Sequence, residues 1–200
     1  MFKDKYNLPK DENILLAKKT LVENIYSQAK MINVNITFLD TKAIIDGKSV
    51  SGIKPYVVQY ILRLRNAWLF VLDDVSAQLD QEYVDSVRAI VTFGGVPQLF
   101  PNINKNNDQI NDIFNSSSSS TEKALDYFLF VCYSKLFWEE NKLTASIIAN
   151  KIMIEAGVGI FVIREKYLHR FNSLIVDFYV TADDSKIKPF LYRNCVLRID

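Results

Sequence analysis

Apolar residues recur at helical spacing through residues 11–32, at Leu15, Leu16, Leu21, Val22, Ile25, Ala29 and Ile32, behind an acidic start that suits a helix N-terminus. One continuous helix is predicted there. The Asn-, Asp-, Ser- and Gly-punctuated stretch that follows reads as a connection, with IIDG as a short helical turn ended by Gly47. Pro55 then opens a long helix carried by Val58, Ile61, Leu62, Trp68, Leu69 and Leu72. A further helix over LDQEYVDSVRAIV stops at TFGGVPQLFPNI, whose paired glycines and two prolines favour a turn or short hairpin, a candidate flap over 92–103 around Gly94, Gly95 and Val96. The polar, low-complexity run through 104–120 is expected to be a mobile loop, because it offers little apolar surface to offset its ordering entropy. TEKALDYFLFVCYSKLF is apolar almost all round, as a central helix would be. After KLTASIIANKIMIEAG, with Gly157 as its stop, come GIFVI and two more helical stretches. The pattern predicts an all-α fold with a short β-hairpin flap, in one domain spanning residues 1–200.

Composition narrows the function classes. With 24 basic and 23 acidic side chains interspersed, nothing pulls the chain toward nucleic acid or an anionic membrane. The start MFKDKYNLPKDEN lacks the apolar core of a secretion signal, and no run reaches membrane-spanning length, so a soluble cytoplasmic protein is expected. Cys132 and Cys195 lack metal-ligand spacing and read as two buried, reduced thiols. His169, the only histidine, sits in REKYLHRFN and reads as a partly exposed helical residue. No Ser/His/Asp set, Walker loop or dinucleotide glycine turn is present.

Chemistry concentrates in KLFWEENKLTAS, residues 135–146, a loop feeding a helix N-terminus and therefore a generic anion site. By pattern alone it is a turn whose two acidic residues stabilise the next helix. Phe137, Trp138, Glu139, Asn141, Lys142 and Thr144, followed by IIANKIMIEAGVGIFVI, resemble the Fic (Fido) family, whose signature runs His-Pro-Phe-x-Asp/Glu-Gly-Asn-Gly/Lys-Arg. The likeness extends upstream through LVENIYSQAKMINVNITFLDTKAIIDGKSVSGIK, similar to a Gram-positive-type branch, and downstream through FNSLIVDFYVTADDSKIKPFLYRNCV. A low-GC bacterium or its phage fits the branch resembled and the Asn/Lys/Ile-rich composition.

The resemblance implies AMP transfer from ATP to a protein hydroxyl. It assigns Asn141, Lys142 and Thr144 to nucleotide binding, Glu139 with Glu140 to Mg²⁺, and the flap to holding a protein target by strand addition. The demanding positions depart from the signature. Lys135 stands at the histidine, Leu136 at the proline, Glu140 at the first glycine, Leu143 at the arginine and Ser146 at a second arginine. A lysine is a poor base at its ordinary pKa, and Glu140 sets a carboxylate where phosphate belongs, a repulsion of roughly 3 kcal/mol at about 5 Å and an effective dielectric near 20. An inhibitory motif of form Ser/Thr-x-x-x-Glu-Gly/Asn also looks eroded, with Gln28, Ile32 and Asn33 in its key places and an apolar Ile32–Leu143 contact as the expected replacement. KTLVEN, with Lys19, Glu23 and Asn24, is the alternative placement. Two functions follow: a catalytically impaired Fic-like protein acting through binding, or a transferase using Lys135 or water with the Glu139/Glu140 pair on a metal.

Overall fold

In the computed structural model, residues 2–94, 107–137 and 140–198 are described. They form ten helices and one two-stranded sheet: α1 Lys10–Lys19, α2 Leu21–Met31, α3 Phe38–Ile45, α4 Pro55–Asp73, α5 Gln81–Phe93, α6 Asn107–Asn115, α7 Ser120–Ser134, α8 Asn141–Ala156, β1 Ile160–Phe161, α9 Glu165–Thr181, α10 Ile187–Cys195 and β2 Val196–Leu197. The fold is all-α, as the periodicity predicts. No helix among the described residues is long and apolar enough to cross a membrane.

The core forms around α7 and α8, which pack along their lengths. From Leu143 to Ile154 every residue of α8 except Ile152 is buried, so α8 rather than α7 is the helix enclosed on nearly all sides. Such a helix must satisfy its polar groups internally. Asn150 donates to the Ser146 and Phe161 carbonyls and accepts from the Phe161 N–H, all at 2.8–2.9 Å, which pins β1 to the middle of α8. Asn13 donates at 3.0 Å to the Met153 and Gly159 carbonyls and so closes the far end. Gly157 stops α8 in the left-handed region (φ +71), as the sequence suggests, and packs against the Leu8 backbone. The N-terminal segment continues to α10, where Lys5 Nζ donates to the carbonyls of Tyr192, Arg193 and Val196.

Three local expectations are corrected. The predicted first helix breaks at Thr20, whose hydroxyl donates back to the Leu16 carbonyl (2.9 Å) and lets α2 leave on a new axis. The connection before Gly47 contains a full helix, α3, begun by a reciprocal cap in which Thr37 accepts from the Asp40 N–H. Within the expected loop over 104–120, residues 107–115 are helical, because Ile110, Ile113 and Phe114 form a stripe that packs on the core, with Phe114 stacked on Tyr127 at 5.5 Å. Ser119, from the serine run, caps α7 by accepting from the Glu122 N–H. Among the described residues the β element is the pairing of β1 with β2, antiparallel with Ile160 opposite Leu197. Gly95, Val96 and the rest of the flap lie outside the described residues.

Candidate functional site

The loop between α7 and α8 is built on two residues that the left-handed region disfavours. Lys135 ends α7 at φ +47 and Glu140 precedes α8 at φ +59. A side chain there costs on the order of 1 kcal/mol relative to glycine. At Glu140, where the resemblance led one to expect glycine, the chain holds this conformation with a carboxylate-bearing residue. Asn141 closes the loop: its Oδ1 accepts from the Phe137 N–H and its Nδ2 donates to the Phe137 carbonyl, both at 2.7 Å. Those two bonds occupy both ends of its amide. Phe137, 1% exposed, lies under the loop with the Arg88 guanidinium 5.0 Å from its ring centre. Burial holds the Arg88 pKa below the ordinary guanidinium value, against the nearby Asp85 carboxylate.

Of the other signature positions, Lys135 is exposed, Glu140 and Lys142 are half-buried, and Glu139 lies outside the described residues, as does Trp138. Thr144 is fully buried, and its Oγ1 has no hydrogen-bond partner among the described residues. Leu143, at the arginine position, has no exposed surface. Among the described residues no group of three or more His, Cys, Asp and Glu side chains is placed to hold a metal ion.

Ser146, at the second arginine position, is engaged in a relay. The Trp68 indole N–H donates to Gln28 Oε1 (2.9 Å), Gln28 Nε2 donates to Ser146 Oγ (2.8 Å), and Ser146 Oγ donates to the Leu143 carbonyl (2.8 Å). The indole can only donate, so the Gln28 amide has a single workable orientation. All four residues are at most 6% exposed. The relay ties α4 and α2 to the first turn of α8 through a polar bond at Gln28. Ile32 caps the end of α2 and packs against the core, and Asn33 takes φ +63. Glu23 of the alternative motif does pair with an arginine, but with Arg164 at the start of α9, Nε to Oε1 2.7 Å. The gap beside the relay, among Asn24, Ser27, Gln28 and Ser146, has only ≈ 10 Å³ of space, room for about one water. Sequence reasoning pointed to Gln28 and Ser146 separately; Trp68 carried no signal beyond its helical period.

The thiols sit apart from this site. Cys132 and Cys195 are free and buried, and burial pushes both pKa values up to about 12. His169 is exposed on α9.

No protein-family model matches the sequence. No curated protein matches it either. Among solved structures, the fold is similar to the crystal structure of a Fic domain containing signaling protein from Bacteroides thetaiotaomicron, with a TM-score of 0.67 and 13% identity over 88% of this chain and 78% of that one. The fold is therefore that of a Fic domain.

Proposed function

We propose that this chain is a Fic-family protein whose nucleotide-transfer loop is disabled and which acts by binding a protein partner. The observation that carries this reading is the closure of both arginine positions: Leu143 is enclosed by the core, and the Ser146 hydroxyl is held between Gln28 and the Leu143 carbonyl. Phosphoryl transfer depends on cations and backbone donors aimed at the phosphates. ATP with Mg²⁺ would have to use a loop in which Lys142 is the remaining cation of the nucleotide-binding set, Asn141 is spent on Phe137, and Glu140 adds negative charge. The described residues do not fit that load.

A partner's extended segment would add as a strand at the candidate flap over 92–103. Its root is firm: Gly94 caps α5 at φ +74, and Arg63 donates to the Thr92 carbonyl at 2.6 Å.

The test is a calorimetric titration with ATP, with and without Mg²⁺ and Mn²⁺. No heat of binding is expected at millimolar nucleotide. Metal-dependent binding in the low micromolar range that disappears in Glu139→Ala would overturn the proposal in favour of a transferase with altered chemistry. A second arm introduces Lys135→His, Glu140→Gly and Leu143→Arg together, which should create nucleotide binding in a disabled Fic protein.

A further inference from the structure

Among the described residues, α6 is held to the body of the protein mainly by α7. Phe114 stacks on Tyr127, with ring centres 5.5 Å apart, and Lys123 Nζ donates to the Phe114 carbonyl at 2.8 Å. Toward the start of α5 a cavity of ≈ 300 Å³ opens between Leu79 and Val84 on one wall and Ile110 and Phe114 on the other. Ile110 is buried and Ile113 and Phe114 are half-buried, while Asp108, Gln109, Asn111, Asp112 and Asn115 are exposed. Residues 116–119, which join α6 to α7, contain no buried side chain. An isolated helix shorter than about 12 residues is marginal in water, so α6 is helical because it is docked.

The docked position carries a cost. Tyr127 is fully buried, and its hydroxyl has no hydrogen-bond partner among the described residues. A buried hydroxyl without a partner gives up the bonds it makes in water, and an opening that wets it recovers them. The ring that holds α6 by stacking is therefore also the ring whose hydroxyl the docked state leaves unsatisfied.

We propose that α6 is a latch that releases from α7 as a unit, well before the protein unfolds, with residues 116–119 as its hinge. Release lets water reach the Tyr127 hydroxyl and turns the ≈ 300 Å³ cavity into an open groove beside Val84. A short amphipathic helix with few anchors opens at a free energy below that of global unfolding. The latch does not depend on the reading given for the α7–α8 loop.

Hydrogen exchange of the whole protein, read by mass spectrometry, tests it. The amides from Asn111 to Asn115, which can bond within α6, should be protected only while the helix is docked. They should exchange roughly a hundredfold faster than those of α7, a difference of about 2.8 kcal/mol. Tyr127→Phe removes the unsatisfied hydroxyl and keeps the stacked ring, so exchange at α6 should slow about tenfold. Phe114→Ala removes the stack and an apolar anchor, and should speed it about tenfold while α7 stays protected. Those opposite signs separate a latch from a helix that merely frays, which neither substitution would move. Equal protection of α6 and α7, protection of α6 no greater than that of a free peptide, or unchanged α6 exchange in either variant would each overturn the proposal.

Discussion

Replacing Gln28 by leucine keeps the side chain's approximate volume and removes both of its hydrogen bonds. Trp68 is fully buried and its N–H donates to Gln28 at 2.9 Å, so it would be left without an acceptor or access to water. An orphaned buried donor costs about 1–3 kcal/mol. Ser146 loses less, because its hydroxyl still donates to the Leu143 carbonyl at 2.8 Å. A net bond of that kind is worth about 0.5–1.5 kcal/mol, and the more apolar leucine returns roughly 1 kcal/mol by burial. The expected loss is about 2 kcal/mol. With a urea slope near 2 kcal/mol/M, the midpoint followed by far-ultraviolet circular dichroism should fall by about 1 M at unchanged slope. The reasoning rests on the pair rather than on either residue, so the decisive measurement is a cycle with Trp68→Phe. Removing donor and acceptor together leaves nothing unsatisfied, and the double variant should be more stable than the sum of the single losses by at least about 1 kcal/mol. Additivity within about 0.5 kcal/mol would refute the relay as a stabilising unit.

Gly157→Ala combines a left-handed backbone (φ +71) with a clash against the Leu8 carbonyl, so a loss of about 2 kcal/mol or more is expected in the same urea assay. Glu140→Gly should leave stability within roughly 0.5 kcal/mol, since relief of the strained φ and the extra chain entropy of glycine nearly cancel, whereas β-branched Glu140→Val should lose about 1–2 kcal/mol. Both thiols should resist an aromatic disulfide reagent at pH 8 in the native protein and react only on unfolding. Burial raises their folded pKa values from 9.0 to about 12, so their contribution to stability is intact below pH 9 and is lost as pH rises from 9 toward 12; the thermal midpoint should fall across that window, less steeply in Cys132→Ala.

Local pattern determined much of this protein. Apolar periodicity located α4, α5, α7, α8, α9 and α10, and Gly157 marked the end of α8, because helix faces and glycine stops act within a few residues, while a family resemblance carried by Phe137, Asn141 and Lys142 singled out the loop ahead of it. Composition failed at residues 107–115, where Asn and Asp outnumber the three apolar residues that make α6 pack. A helix needs only a narrow stripe when a core is present to receive it, and that core belongs to another part of the chain. The loop sequence showed which residues had changed from the Fic pattern, and tertiary structure decided what took their place. Gln28 and Ser146 are 118 positions apart, and Gln28 and Trp68 are 40 apart. No periodicity links such positions. They meet because α2, α4 and α8 bury their apolar faces together, and the three polar groups enclosed by that packing bond one another.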